Sequence, residues 1–153
     1  MNDVENSTPL VDIGVNLSNP CFQDDWQGVL QRALDVHVTQ LILTGTNLAE
    51  SEQVLSLCQQ FSDDFPDMLY STCGVHPHEA KQYSAETGSQ LRSLAEAPQV
   101  VAIGETGLDF NRNYSPPSDQ ERAFEAQLEM AIELQLPIFM HERDAHQRQF
   151  EIL

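Results

Sequence analysis

Short apolar runs alternate with segments of helical periodicity along most of the 153-residue chain. Continuous apolar runs are typical of strands that are covered on both faces, and five such runs predict strands at residues 10–17, 41–43, 68–73, 100–103 and 137–140. Between them, apolar residues recur at the spacing of amphipathic helices. This regular alternation predicts right-handed crossovers and therefore a parallel sheet packed with helices.

Helix start signals add detail to this α/β pattern. Ser84 is placed to cap the third helix, which Gly88 interrupts. A loop is predicted from Gly104 to Ser118, where Ser118 and Glu121 have the spacing of a capping box that opens the fourth helix. A fifth helix is expected to begin just before the last residues of the chain.

A parallel sheet of this kind is completed either as an eight-stranded barrel or as an open, doubly wound sheet. The second fold normally carries a glycine-rich phosphate loop after its first strand, and this chain has none there. We therefore predict a TIM (β/α)8-type barrel truncated after strand 5, with residues 1–9 as a polar leader and 10–153 as the barrel portion. A complete barrel takes about 250 residues. The chain is thus expected to be a fragment, a truncated product, or a protein that needs an oligomer or partner to cover the open edge after strand 5.

Composition narrows the class of protein. Hydrophobic residues make up 41% and charged residues 20%, as in soluble globular domains. No apolar run approaches the ~20 residues that cross a bilayer, and the N-terminus lacks the features of a signal peptide. A cytoplasmic location and no membrane partner are therefore expected. Cys21, Cys58 and Cys73 are widely spaced without a C-x-x-C motif, which favours buried free thiols over disulfides or a thiolate zinc site.

The formal net charge of −17, with only seven Lys and Arg residues, limits the partners. It argues against non-specific binding to duplex nucleic acid or to membrane surfaces. If DNA is the substrate, it should be held weakly by the protein itself. A phosphate group would need a bound metal ion or a few well-placed arginines.

Polar residues follow the predicted strands at one end. Asn16, the turn 44–47, His76, Glu105 and His141 all fall at or just beyond the carboxyl ends of strands. In a β/α barrel these ends form the face that holds the active site. We therefore expect these five segments to converge on one pocket.

Glu105 and His141 are the candidate metal ligands. Each alone could be a solvent-facing glutamate or a capping histidine, but a carboxylate and an imidazole on adjacent strand ends suit Zn²⁺, Mn²⁺ or Mg²⁺. The His76-Pro77-His78 segment could bring an imidazole to a metal, a phosphate oxygen or a leaving group, or could be a surface turn.

Substrate contacts are expected from His78, Arg112 and Arg143. Both arginines are predicted to lie in loops on the catalytic face, where either could hold a phosphate by a bidentate fork. Pairing with one of the many carboxylates is an equally open role for each arginine.

These segments together resemble the TatD family of metal-dependent deoxyribonucleases, and within it the bacterial TatD branch. The likeness covers nearly the whole chain after residue 10. It is carried by DIGVNL at 12–17, LTGTNL at 43–48, GVHPH at 74–78, VAIGETGLDFNRN at 101–113 and FMHERDAH at 139–146.

The resemblance implies a TIM barrel with one or two divalent ions, Mg²⁺ foremost and Mn²⁺ or Zn²⁺ as alternatives. It implies phosphodiester hydrolysis, with 3′→5′ exonuclease action on DNA. The glutamate and histidine that match Glu105 and His141 are metal ligands in such enzymes, and the histidine that matches His76 belongs to the catalytic pocket.

Three departures from the family pattern keep alternatives open. Gly14 and Asn16 stand where many members carry His-x-His, and Thr106 and Glu142 stand where the usual cysteines are. A further histidine and aspartate that the family carries on strands 6 and 8 have no counterpart in these residues. A catalytically inactive truncated remnant, or a partner-dependent fragment, is the first alternative. An amidohydrolase acting on a small amide is the second, which the missing His-x-His disfavours.

Overall fold

A computed structural model describes residues 8–153, and in this part of the chain strands and helices alternate as the sequence predicts. The elements are β1 (Leu10–Val15), α1 (Trp26–Asp35), β2 (Val38–Leu43), α2 (Leu48–Gln60), β3 (Leu69–Cys73), α3 (Ala85–Leu94), β4 (Val100–Asp109), α4 (Pro117–Leu134), β5 (Ile138–Arg143) and α5 (His146–Ile152), with short 3₁₀ turns at Pro20–Phe22 and Pro77–Gln82. Most of the predicted leader, residues 1–7, lies outside the described residues.

The five strands form one parallel sheet in the order β1-β2-β3-β4-β5. Because spatial order follows chain order, every crossover advances the sheet in the same direction, as in a barrel, and the strand order never reverses as it does in a doubly wound sheet. The sheet curls into a half-barrel with the helices outside. The predicted α/β fold class is therefore confirmed.

Two clusters of buried side chains attach the helices to the sheet. The first packs α1 and α2 on β2 around Leu30, Leu43 and Val54. The second packs α3 and α4 on β3 and β4 around Leu91 and Ile103. They hold the strands that carry the polar residues of the site.

The first strand is far less covered. Leu10, Val11 and Ile13 keep 55%, 52% and 58% of their surface exposed. Within residues 8–153, β1 pairs with β2 alone and β5 with β4 alone, so both edges of the sheet are open.

Strand β4 is longer than the sequence predicts, and the loop expected from residue 104 starts only after Asp109. The apolar run stops at Ile103, but pairing with β5 resumes after an irregularity and continues from Thr106 to Asp109. Gly107 permits this course, because its φ of +133° suits glycine and its Cα faces the carbonyl oxygen of His141. Glu105 therefore lies within a strand and not in a loop.

Of the two predicted helix starts, the one of α3 is confirmed and the one of α4 is wrong. Ser84 caps α3 and forms a capping box with Thr87. The Ser118–Glu121 box on α4 is wrong, because α4 begins at Pro117, whose ring presets the helical φ and which has no N–H to cap. Glu121 instead accepts two hydrogen bonds, of 2.9 and 2.8 Å, from the guanidinium of Arg148 in α5.

The three cysteines are free thiols, as expected, but only two of them are buried. Burial raises the pKa values of Cys58 and Cys73 to about 12, as expected for inert core thiols. Cys21 is exposed, so for this residue the expectation of burial is wrong. No helix in the described part of the chain is long and apolar enough to cross a membrane. The cytoplasmic location expected from the sequence remains a prediction.

Candidate metal centre

Three side chains from neighbouring strands meet at the carboxyl end of the half-barrel. His76 follows β3, Glu105 lies in β4, and His141 lies in β5. One potential ligand atom from each lies within 4.8 Å of the other two. They line a cavity of about 300 Å³ whose other wall residues are Thr46, His78, Glu79 and Arg112. The described chain has larger recesses, including one of about 730 Å³ beside Trp26, but none holds such a cluster.

Glu105 lies between the two histidines. Its Oε1 atom is 3.3 Å from Nδ1 of His141 and 3.8 Å from Nε2 of His76. The backbone N–H of Glu105 donates to the carbonyl oxygen of Gly45, at 2.8 Å. The carboxylate is thereby held at the mouth of the half-barrel, next to the turn after β2.

His76 is fixed by its own loop. Its Nδ1 atom accepts the backbone N–H of His78 at 3.1 Å, and Pro77 opens the 3₁₀ turn that follows. Burial foremost, and then the neighbouring imidazoles of His141 and His78, lower the pKa of His76 to about 3, although the Asp109 carboxylate opposes this. His76 is therefore a neutral imidazole at physiological pH.

This shift predicts that the metal-free chain loses stability in mild acid. Between pH 6.5 and 3 the unfolded chain binds a proton at His76 that the folded chain does not bind. The free energy of unfolding should therefore fall by about 1.4 kcal/mol per pH unit from this residue alone. In EDTA, His76→Asn, which keeps an acceptor for the His78 N–H, should show a shallower pH slope in urea titrations between about pH 6 and 4.5. Equal slopes for both chains would contradict the assignment.

His141 offers one nitrogen to Glu105, and its other nitrogen has no hydrogen-bond partner. Nε2 is buried and makes no hydrogen bond within the described residues. The Oδ2 atom of Asp109 is its charged neighbour, at 3.4 Å. Two carboxylates beside one imidazole concentrate negative charge that a cation between Glu105 and His141 Nδ1 would balance. A carboxylate oxygen of Glu105 and Nδ1 of His141, with His76 beside them, therefore fit a divalent metal ion.

Asp109 is the main feature of the site that the sequence did not single out. It is fully buried at the end of β4. Its Oδ2 atom is 2.7 Å from Nε2 of His78, and its Oδ1 atom accepts the backbone N–H groups of Asn111 and Arg112 at 3.1 and 2.9 Å. Burial alone would raise the pKa of Asp109, but these hydrogen bonds and the nearby imidazoles of His78 and His141 outweigh it and lower the pKa to about 2.

Two buried glutamines of α4 hold the strand ends. Gln127 accepts the N–H of Val75 at 2.7 Å and donates to Val75 O and to Thr106 Oγ1. Gln120 accepts the N–H of Asp109 at 2.8 Å and donates to its carbonyl at 3.1 Å. Each amide side chain thus pairs with a backbone unit at the point where the sheet ladder ends. Gln120 and Gln127 are seven residues apart and lie on the otherwise apolar face of α4, and this pattern was the signal in the sequence that could have identified them.

The remaining predicted residues separate into two groups. His78 and Arg112 line the cavity with the cluster. Arg143 ends β5 instead of lying in a loop, is exposed, and does not line that cavity. Asn16 accepts a hydrogen bond from Ser18, and Asn47 caps α2, so neither joins the cluster.

Comparison with known proteins gives a consistent picture. The family model described as TatD related DNase matches residues 11–153. A curated relative from Erwinia tasmaniensis, named 3′-5′ ssDNA/RNA exonuclease TatD, is 53% identical over 144 residues, which are 94% of this chain and 54% of that protein. The chain thus spans about half the length of the curated relatives that it matches.

Solved structures share the fold. A hydrolase of the TatD family from Entamoeba histolytica superposes with a TM-score of 0.88 at 25% identity, over 95% of this chain and 54% of that one. An uncharacterized amidohydrolase from Saccharomyces cerevisiae gives 0.84 at 28% identity, over 95% and 51%. The family match over 11–153, with the strand order and the cluster described above, establishes that the chain belongs to the TatD family.

Proposed function

We propose that the chain carries the metal-binding half of a divalent-metal phosphodiester hydrolase, a DNase that shortens single-stranded DNA from its 3′ end. The observation that carries this proposal is the cluster of Glu105, His141 and His76 at the mouth of the half-barrel. The curated relatives are named 3′-5′ ssDNA/RNA exonuclease, and that name supports the polarity and the substrate class.

Glu105 and His141 would hold the ion. Mg²⁺ prefers oxygen ligands, and the imidazole also admits Mn²⁺ or Zn²⁺. The ion would supply Lewis acidity toward a phosphate oxygen. The cavity of about 300 Å³ leaves room for one ion and part of a phosphate, and a second ion would need ligands besides these two.

His76 would act as a hydrogen-bond donor instead of a ligand. Its Nδ1 atom already accepts the His78 N–H, so the single proton of the neutral ring lies on Nε2. That Nε2–H faces the Glu105 side of the cavity. It is placed to donate to a non-bridging phosphate oxygen or to the leaving oxygen, where charge accumulates during hydrolysis.

The substrate would be oriented by the few cations at this end of the barrel. Arg112 lines the cavity and can hold a phosphate through two parallel N–H groups. Arg143 lies two residues beyond His141 along β5, farther from the cluster, where it would contact a neighbouring phosphate. His78, stacked edge-on against Tyr114, would contact the sugar or base of the terminal nucleotide.

An active assembly would also cover the open sheet. The exposed apolar side chains of β1 and the unpaired edge of β5 need further strands against them. We propose that such strands, from further sequence of the same polypeptide, a second copy or a partner, complete the barrel and supply additional metal ligands. In the partner-dependent alternative these strands come from another chain. In the inactive-remnant alternative no such strands are supplied and the site stays without activity.

A second candidate, hydrolysis of a small amide, is favoured only by the structural likeness to the yeast protein described as an uncharacterized amidohydrolase. The same Lewis acid chemistry would serve an amide carbonyl. A panel of small amides, assayed beside DNA with the same metal ion, separates the two candidates.

The test is a single-strand exonuclease assay on the purified chain with 5′-labelled DNA. With Mg²⁺ the label should appear in progressively shorter products, and EDTA should stop the reaction. A phosphorothioate linkage at the 3′ end should slow shortening, and one at the 5′ end should not. A chain whose sheet edges are covered by a second copy, a partner or further sequence, and that binds Mn²⁺ but leaves the DNA intact, would overturn the proposal and make the inactive remnant the leading interpretation.

A further inference from the structure

One buried carboxylate connects two histidines of the site. The Oδ2 atom of Asp109 is 2.7 Å from Nε2 of His78 and 3.4 Å from Nε2 of His141. In both histidines the nitrogen that faces Asp109 is Nε2, so Nδ1 of each ring does not contact this carboxylate. In His141 the free nitrogen is the one that lies 3.3 Å from Glu105.

Asp109 has little capacity left to bind an ion itself. Its Oδ1 atom already accepts two backbone N–H groups, from Asn111 and Arg112, and its Oδ2 atom pairs with His78. Its side chain is only 1% exposed. A carboxylate in this position acts through the groups that it contacts.

The carboxylate is held rigidly. Gln120 pairs with both the N–H and the carbonyl of Asp109, and its amide also donates to the carbonyl of Ser115 at 2.8 Å. The hydroxyl of Ser115 donates to the carbonyl of His78, again at 2.8 Å. The loop that carries His78 and the strand end that carries Asp109 are thereby locked to the same side chain of α4.

We propose that Asp109 is a positioning residue that keeps the proton of His78 and of His141 on Nε2, so that His141 presents the lone pair of Nδ1 to the metal ion. A neutral imidazole carries one N–H and one lone pair, and an acceptor at one nitrogen directs the lone pair to the other. Carboxylates behind ligating histidines fix the tautomer and orientation in this way. For His141 the same carboxylate lies 3.4 Å from a buried Nε2 that makes no hydrogen bond within the described residues, so its influence on this ring is electrostatic.

This inference rests on the proposed metal centre, but its first test needs no activity. In the chain loaded with diamagnetic Zn²⁺ and labelled with ¹⁵N-histidine, where the ion takes up the Glu105 carboxylate that otherwise faces Nδ1, the ring nitrogens report the protonated position directly. His141, identified by comparison with His141→Asn, should show a protonated Nε2 and an unprotonated Nδ1. A protonated Nδ1 on His141 in the unsubstituted chain would overturn the proposal.

The second test is Asp109→Asn, which can place an N–H donor where the carboxylate accepted. The His141 tautomer should shift away from Nε2–H, and Mn²⁺ affinity, measured by calorimetry, should fall on the order of 10–100-fold. The matched control is Asp144→Asn, because Asp144 accepts a hydrogen bond from Asn111 on the same loop but is exposed. It should keep the parent tautomer and affinity.

The outcomes separate positioning from structural support. If Asp109→Asn melts at a lower temperature but keeps both tautomer and Mn²⁺ affinity when folded, the residue is structural and the proposal fails. If Asp109→Asn does not fold, the tautomer of the unsubstituted chain still decides. A completed barrel without DNase activity, but with His141 protonated on Nε2 and weakened Mn²⁺ binding in Asp109→Asn, would refute the proposed function and support this inference.

Discussion

Replacing Glu105 by glutamine is expected to reduce metal-dependent hydrolysis on the order of 10³-fold. Glutamine has nearly the same shape but no charge, so it is a poor ligand for a hard cation. Losing an ion that contributes several kcal/mol to the transition state costs a factor of ten for every 1.36 kcal/mol. Glu105 is the one carboxylate of the cluster and lies within 3.8 Å of both histidines, so no other member of the cluster can supply its charge.

The control for this variant lies in the same cavity. Glu79 lines the cavity but does not belong to the cluster, and it accepts a hydrogen bond from Gln82. Glu79→Gln therefore removes the same charge at the same mouth, and it should change the rate by less than about threefold, as for a screened surface charge. Equal losses in both variants would mean that net charge, and not metal ligation, sets the rate.

Gly107→Ala is expected to have the largest effect on stability, with a loss of about 3 kcal/mol or more in the free energy of unfolding. The φ of Gly107 is +133°, which an alanine adopts only with strain. An added Cβ would overlap the carbonyl oxygen of His141, a backbone atom that cannot rotate away. Strand β5 would have to move, and His141 with it, so metal affinity should fall as well.

Urea unfolding of Gly107→Ala beside Gly28→Ala tests this expectation. Gly28 lies in α1, where the nearest atoms to an added Cβ belong to the exposed side chains of Asp25 and Arg32. Because these side chains can turn into solvent and alanine favours a helix, Gly28→Ala should change stability by less than about 1 kcal/mol. A Gly107→Ala chain as stable as the parent would show that β4 and β5 do not approach each other as described.

The sequence was most informative where local pattern and chemistry coincide. Apolar runs located the strands, and the rule that barrel sites lie at carboxyl strand ends selected His76, Glu105 and His141, which the structure brings together. Their roles as ligands or donors stay predictions. Arg143 lies at the predicted end of the barrel but not in the cavity, because the strand carries it two residues, or about 6–7 Å, beyond His141.

What the sequence could not predict depends on long-range hydrogen bonds. The role of Asp109 follows from its hydrogen bond with His78, 31 residues away in the sequence. The role of Gln127 follows from its hydrogen bond with Val75, 52 residues away. Such pairs leave no local periodicity. The strand predicted at 100–103 was too short for the same reason. The continuation of β4 past Gly104 depends on pairing with β5 and not on the apolar content of β4 itself.

The most direct test of a metal-centred site is the location of Mn²⁺ by anomalous diffraction from crystals of the chain grown with MnCl₂. A peak within bonding distance of a Glu105 carboxylate oxygen and of His141 Nδ1, with His76 Nε2 outside the first coordination sphere, is the predicted result. Mn²⁺ bound at full occupancy elsewhere, while Glu105 and His141 face only solvent, would contradict it.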